Sequence, residues 1–216
     1  MDKEQVDEFY HQLRELCITE DVFQKEAVAG ITNHLTQPQG DYQGLLRFLS
    51  YYGENYTLPS VIKLLTSSGH LLKFSRIVEL GAGFAWLGRG ISNAYNLLPV
   101  VFVDKRQWIF TSVVADIETK NGIKRVLDEM KEGDLLVMSE LLHCLDNPKE
   151  ALQPFTRWPM MVIEYMPSDP SYKESYNAQI KKFNCKPIVD IRDVFPGAKI
   201  IAEKADPYIM WLVLPL

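Results

Sequence analysis

Short apolar segments alternate with helical stretches after residue 75, and this alternation constrains the fold more than any other feature of the chain. Helical stretches separate the first five of these segments, which is typical of a parallel sheet covered by helices on both faces. The last two are too close together for a helix, so we expect an antiparallel hairpin joined by a short Asp206-Pro207 turn. The sequence therefore predicts an α/β, doubly wound, mostly parallel seven-stranded sheet with an antiparallel C-terminal hairpin. Its strands are expected at 76–80, 100–104, 112–115, 134–138, 160–164, 199–203 and 208–214.

A region of different character precedes the sheet. Apolar residues recur at helical spacing from Val6 to Cys17, and Gln37-Pro38-Gln39-Gly40 is a clear break between helices. A last helix begins near Pro59, a residue that suits a first helical turn, and Gly69 ends it. We therefore predict a helical region over residues 1–70 and an α/β domain over residues 71–216.

Composition and charge exclude several classes of protein. Among 216 residues, 47% are hydrophobic and 24% are charged, which rules out a disordered chain or a coiled coil. The net charge is −5 with no basic stripe, so we expect no nucleic-acid partner. Cys17, Cys144 and Cys185 are far apart and form no CxxC motif, which argues against zinc and against a disulfide framework. With a polar N-terminus and no apolar run near the roughly 20 residues of a membrane span, we predict a cytoplasmic protein that does not enter the membrane.

A glycine-rich turn, 78–85, lies where the first strand gives way to a helix. Gly81 and Gly83 allow a sharp bend and a close approach of a ligand to the backbone, and the helix start offers N–H groups to a carboxylate. Glu79 repels phosphates and suits an amino group, whereas Asp104, at the end of the second strand, suits ribose hydroxyls. Together they predict a ligand that is a nucleoside bearing an amino acid. A plain tight turn and a strand-end aspartate are the alternatives.

In the order and spacing of these motifs, the segment from Pro59 to Leu216 resembles class I S-adenosylmethionine-dependent methyltransferases of the small-molecule branch. Glu79-Leu80-Gly81-Ala82-Gly83 matches the family's first motif, 101–104 its second and 133–140 its fourth-strand motif, although Ala85 replaces a glycine that is frequent in the family. The resemblance implies S-adenosylmethionine as cofactor, S-adenosylhomocysteine as product, no metal and a small-molecule acceptor. Asp116 would face the adenine amine, unless it is an ordinary strand-end residue. The cofactor-binding residues implied are Glu79, Gly81, Ala82, Gly83, Asp104, Lys105, Asp116, Ile117, Ser139 and Glu140.

The segment after the fourth strand lies where ligands sit in an open α/β sheet, beyond the carboxyl ends of the strands. His143 falls on the histidine that serves as general base in the plant-type O-methyltransferases this segment resembles, although Cys144 replaces the aspartate that follows it there. The alternative is a structural histidine at a helix start. The Asn-Pro-Pro-Tyr motif of N-methyltransferases that act on planar amines is absent. Glu164-Tyr165, at the end of the fifth strand, either lines the substrate side or is a strand-end pair, and Tyr165 is our candidate there.

The aromatic residues of the region 1–70 admit three interpretations: a lid that closes over the acceptor, a homodimer interface, or simple helical core. If there is a lid, we expect Tyr51 or Tyr56 to contact cofactor or substrate, because tyrosine offers both a ring and a hydroxyl.

The sequence thus predicts methyl transfer to an oxygen, nitrogen, sulfur or carbon atom of a small molecule by in-line displacement. A nicotinamide-dependent oxidoreductase is the alternative enzyme, but it expects a small residue where Trp86 stands. A non-catalytic module that keeps the fold for protein interaction is the alternative of another class, and it would bind the cofactor without turnover.

Overall fold

The structure is a computed structural model that describes residues 58–70, 72–83, 85–107, 111–166, 168–171, 174, 177, 186, 190–205 and 208–215. The helices predicted before residue 58, the lid or dimer interface, Tyr51, Tyr56 and the Asp206-Pro207 turn lie outside these residues.

The described chain alternates helices and strands from residue 58 onward. The helices are α1 Leu58–Ser67, α2 Trp86–Ala94, α3 Lys120–Glu129, α4 Pro148–Leu152 and α5 Ile191–Val194. The strands are β1 Arg76–Leu80, β2 Val100–Asp104, β3 Val113–Val114, β4 Asp134–Ser139, β5 Met160–Tyr165, β6 Ile200–Ala205 and β7 Tyr208–Val213. Single 3-10 turns at Leu142–Cys144 and Gln153–Phe155 follow β4 and α4.

The strands form one seven-stranded sheet in the order β3-β2-β1-β4-β5-β7-β6. The first five are parallel, and β7 runs antiparallel to both β5 and β6, so the predicted fold class is confirmed. The chain leaves β1 in one direction to β2 and β3 and returns on the other side to β4. The crevice beyond the carboxyl ends of β1 and β4 is therefore the topological switch point, where open α/β sheets bind ligands.

Two hydrophobic clusters cover the two faces of the sheet, because alternate residues of each buried strand point to opposite sides. On one face, strand residues such as Ile77 and Val137 pack with α1 and α2. On the other, Val78 and Leu136 pack with α3, α4 and α5. Most strands therefore consist of consecutive apolar residues, as expected of a sheet buried on both sides.

Helix ends differ from the predicted ones by a few residues for local reasons. Helix α2 ends at Ala94, because Asn96 and Leu97 just beyond it adopt left-handed backbone angles with φ of 58° and 62°. Thr119 begins α3 by accepting a hydrogen bond from the Gly122 amide, as an N-cap residue does. In the part of the chain described, no helix has the length and apolar character needed to traverse a bilayer.

Candidate active site

The glycine-rich turn between β1 and α2 adopts an unusual backbone. Gly81 and Gly83 have φ of 65° and 47°, and Ala85 has φ of 58° although it is not glycine. A left-handed alanine costs about 1–2 kcal/mol, so the surrounding structure imposes this bend. A Cβ at Gly81 would lie 2.7 Å from the Leu141 side chain, whereas at Gly83 the nearest atom, the Gly81 carbonyl oxygen, would be 4.0 Å away. The turn is thus close-packed at its first glycine and open at its second.

Asp104 connects the end of β2 to this turn. Its Oδ2 accepts a hydrogen bond from the Gly83 amide at 3.0 Å, and its Oδ1 accepts one from the Arg106 amide at 2.9 Å. The side chain is buried, and Ala82 donates its amide to the Val103 carbonyl next to it. Since each carboxylate oxygen has more than one lone pair, Asp104 can still accept hydrogen bonds from a ligand.

Glu79 faces helix α2. It is 2% exposed, and its Oε2 accepts a hydrogen bond from the Gly88 amide at 3.0 Å. That amide lies in the first turn of α2, where N–H groups have no partner within the helix, and Ala85 at the N-cap supplies no side-chain bond. Burial raises the pKa of Glu79 to about 8; the bond from Gly88 opposes the shift, and the nearby charge of Asp104 adds to it. Glu79 therefore fastens the start of α2 to the end of β1.

The other predicted residues on this side follow β2 and β3. Lys105 is exposed directly after β2, and Ile117 is buried after β3. Asp116 is half-buried, and its Oδ1 accepts a hydrogen bond from the Glu118 amide at 3.0 Å. The Ala115 amide donates to the Asp104 carbonyl at 2.8 Å, which brings the end of β3 beside that of β2.

A buried histidine–glutamate pair lies where β4 and β5 end. His143 Nδ1 and Glu164 Oε2 are 2.8 Å apart, and the two side chains are 7% and 2% exposed. The second oxygen of Glu164, Oε1, accepts the Leu142 amide at 2.8 Å, which fixes the carboxylate. Burial opposes a positive charge on His143, but hydrogen bonds to Cys144 and Glu164 outweigh it and raise the pKa of His143 to about 10.

Glu140 lies beside this pair in a left-handed conformation, with φ of 53°. Its amide donates to the Ile163 carbonyl at 2.8 Å, and Ser139 pairs with Ile163 as the last residue of β4. Burial and the charge of Glu164 raise the pKa of Glu140 to about 7, against the opposing effects of His143 and a hydrogen bond with Tyr208.

Tyr165, the remaining candidate, is the last residue of β5 and pairs with Tyr208 of β7. Cys144 is exposed, and its Sγ lies 3.6 Å from the Glu140 carbonyl oxygen. The predicted residues thus fall into two groups at one edge of the sheet, one around the glycine turn and one around His143.

Sequence reasoning missed the partners that hold these residues. Glu164 was considered as a substrate-side or strand-end residue and not as a partner of His143. Since β4 and β5 are neighbouring parallel strands whose carboxyl ends meet, its approach to His143 was foreseeable. The contacts of Gly88 and Tyr208 could not be predicted from the sequence. Gly88 bonds Glu79 through its backbone amide, which any residue has, and Tyr208 lies 68 residues beyond its partner Glu140 on an antiparallel strand.

No three His, Cys, Asp or Glu side chains among the described residues are grouped as metal ligands. The groups at this edge of the sheet are ones that a polar organic ligand can bind. The turn offers an open backbone at Gly83, Asp104 offers carboxylate oxygens, and His143 offers an oriented imidazole at the same edge.

Comparison with known proteins gives likeness in three dimensions only. No protein-family model matches this chain, and no curated protein does. Among solved structures, the CurJ carbon methyltransferase superposes with a TM-score of 0.57 at 13% identity, covering 99% of this chain and 66% of that one. Human N-acetylserotonin methyltransferase, solved with S-adenosylmethionine, gives 0.47 at 12% identity and covers 96% of this chain. The pyocyanin biosynthetic protein PhzM gives 0.49 at 14%, covering 99% of this chain and 70% of that one.

This chain covers 66% of the length of the human enzyme. At these identities the likeness concerns the fold. The sheet order, the antiparallel β7 between β5 and β6, and the CurJ superposition agree with one another. The chain has the fold of class I S-adenosylmethionine-dependent methyltransferases.

Proposed function

We propose that this protein transfers a methyl group from S-adenosylmethionine to a small-molecule acceptor, with His143 as general base and Glu164 as its positioning residue. The observation that carries the proposal is the buried pair at 2.8 Å, set beside the glycine turn at the switch point of the sheet. A histidine whose one ring nitrogen is held by a carboxylate is oriented to exchange a proton at the other.

The residues present fit the cofactor. Gly83 leaves room for a ligand against the backbone, and Asp104 has lone pairs to accept ribose hydroxyls. Asp116 and Ile117, beside the end of β2, are proposed to face the adenine. Glu79 stabilises the turn through its hydrogen bond with the Gly88 amide. When bound, S-adenosylmethionine supplies an electrophilic methyl group on a positively charged sulfur.

The residues of the chain then have two roles: they align the acceptor with the methyl group, and they remove a proton from the acceptor. Holding two reactants in line is worth roughly 7–11 kcal/mol, and a positioned base adds about 10²–10⁴-fold. The base is the neutral ring of His143, which accumulates as the pH rises toward about 10; with Nδ1 donating its proton to Glu164, the other ring nitrogen of that neutral form takes the acceptor's proton. Because the pKa of His143 is raised to about 10, it matches weakly acidic hydroxyls such as phenols, whose pKa is about 10.

The first experiment measures S-adenosylhomocysteine binding by calorimetry. We expect the wild-type chain to bind, and Asp104→Asn to bind more weakly because it loses the charge that ribose hydroxyls would meet. Asp128→Asn is the matched control, since Asp128 is an exposed residue of α3 paired with Lys124. Absence of binding by the wild type at high micromolar ligand contradicts the proposal.

The second experiment tests the base. Formation of S-adenosylhomocysteine from S-adenosylmethionine is followed with a panel of phenolic, amine and thiol acceptors. We expect His143→Gln to lower turnover by about 10²–10⁴-fold with cofactor affinity unchanged. Cofactor binding with no turnover on any acceptor would instead favour a non-catalytic module.

A further inference from the structure

A second cleft lies at the opposite edge of the sheet, where β4 begins and the loops before β1 and β5 pass. It has a volume of about 370 Å³ and is lined by residues 73, 130–134 and 157–159. We call it the amino-edge cleft. With a rise of about 3.3 Å per residue, the length of β4 separates it from the His143 side by roughly 17 Å. The cleft is therefore separate from the proposed methyl-transfer site.

The frame of the cleft is held by buried, paired groups. Arg76 meets Asp134 through two bonds, Nε to Oδ1 at 2.8 Å and Nη2 to Oδ2 at 2.6 Å. Asp134 is 1% exposed, and its Oδ2 also accepts the Lys131 amide at 2.7 Å. Trp158 donates its ring N–H to the Lys131 carbonyl at 2.7 Å. The one carboxylate in the floor is thus neutralised, and the loop 130–134 is fixed from two sides.

Three cationic side chains line this frame. Within the residues that the structure describes, Lys73, Lys131 and Arg157 have no carboxylate partner, and Glu132 is the one acidic lining residue without a paired cation. The guanidinium carbon of Arg157 lies 3.9 Å from the centre of the Trp158 ring, so stacking occupies one of its faces. Its edge N–H groups remain available to an anion, for which the planar fork of arginine is well shaped.

This local positive charge stands out in a chain of net charge −5. A volume of about 370 Å³ exceeds what an inorganic ion needs and falls at the lower end of the range for small-molecule sites. We propose that the amino-edge cleft binds a small ligand that carries a phosphate or polyphosphate group, held by Arg157, Lys131 and Lys73. This site is independent of the methyl-transfer proposal.

Calorimetric titration of the full chain with pyrophosphate, at low ionic strength, tests the inference. S-adenosylhomocysteine is kept at a concentration that saturates the glycine turn, so that the helix start of α2 is not the site measured. We expect one binding site, with affinity falling as salt is added. Arg157→Gln and Lys131→Gln should each weaken binding about tenfold, because each removes a charge-assisted hydrogen bond.

Lys124→Gln is the matched control, since it removes the same charge from the exposed face of α3, where Lys124 pairs with Asp128 at 2.6 Å. Its affinity for pyrophosphate should stay within twofold of the wild type. Thermal unfolding checks that each variant folds. If Arg157→Gln does not fold, the pyrophosphate affinity of Lys131→Gln tests the inference. Absence of binding at ten millimolar pyrophosphate, or equal affinity in the variants and the wild type, overturns the inference. Failure of S-adenosylhomocysteine to bind would count against the proposed function alone.

Discussion

Replacing Glu79 by glutamine should make the protein more stable at neutral pH, and increasingly so as the pH rises. Glu79 is buried at the end of β1, and burial raises its pKa to about 8 from an ordinary value of 4.5. Glutamine has nearly the same shape, and its carbonyl oxygen can accept the same hydrogen bond from the Gly88 amide. The substitution therefore removes the titration and keeps the contact.

The size and sign of this stabilisation follow from the difference in proton binding between the folded and unfolded chains. Between pH 4.5 and about 8, Glu79 is protonated in the folded chain and ionised in the unfolded chain. The unfolded state then binds fewer protons, so the free energy of unfolding falls as the pH rises. Each pH unit is worth about 1.4 kcal/mol, and the whole interval corresponds to roughly 5 kcal/mol. Below pH 4.5 the effect vanishes, and above about pH 8 it is complete.

Urea denaturation of the wild type and of Glu79→Gln at half-unit steps from pH 5 to 8.5 measures this. The difference in the free energy of unfolding should widen by about 1.4 kcal/mol per pH unit and level off near pH 8. Titrating groups that do not interact with Glu79 cancel in the difference. Glu203→Gln is the control, because Glu203 lies in a surface ion pair with Lys63 at 2.6 Å. A difference between wild type and Glu79→Gln that does not change with pH would refute the reasoning.

Three further predictions concern other parts of the structure. Methyl transfer should accelerate as the pH rises toward about 10 if His143 acts as base, and a pH–rate profile of His143→Gln should lack that limb. Gly88→Ala should lower the free energy of unfolding by about 1–3 kcal/mol in urea, since its Cβ would lie 2.6 Å from the carboxylate at the end of β1. Gly90→Ala is its control, because the new methyl would meet the flexible end of a leucine side chain. Asp134→Ala should lower the free energy of unfolding by about 3–5 kcal/mol, because it leaves the charge of Arg76 without its partner; thermal or urea unfolding measures this.

The fold was accessible from sequence because each strand is short, apolar and bounded by polar or turn residues. β1 and β2 fall on the residues predicted, and the lack of space for a helix between β6 and β7 dictated their antiparallel pairing. β3 was predicted over four residues and has two, because only Val113 and Val114 pair with β2. A weak edge strand has no periodicity that would fix its ends.

The candidate site was accessible only in part. Motif spacing located Glu79, Asp104 and His143, since the ends of parallel strands converge at one edge. It did not reveal what each side chain contacts within the protein: that Glu79 bonds the amide of Gly88 was not foreseen, and its contact with a ligand stays a prediction. Such contacts depend on side-chain direction across the helix–sheet interface, and residue spacing along the chain does not encode it.

The two edges of the sheet differ in how their buried charges are satisfied. At the amino edge, Asp134 is paired with Arg76 and its charge is neutralised. At the carboxyl edge, Glu79, Glu140 and His143 all have raised pKa values, so this edge holds protons that the unfolded chain would release. For all three groups this proton uptake lowers stability as the pH rises: for the two acids from about pH 4.5 to their raised pKa values, and for His143 from about pH 6.5 to about 10, where the stabilisation of its charge by Glu164 is lost.

Backbone strain falls at the same edge. Among the described residues, two of the four non-glycine positions with positive φ lie there, Ala85 in the glycine turn and Glu140 after β4. Left-handed alanine and glutamate are each unfavourable by about 1 kcal/mol or more. Strain and buried titratable groups persist together where a site needs a fixed bend and groups that exchange protons. The amino edge shows that a buried charge at a sheet edge can be satisfied by pairing, and this contrast supports our proposal that methyl transfer takes place between the glycine turn and His143.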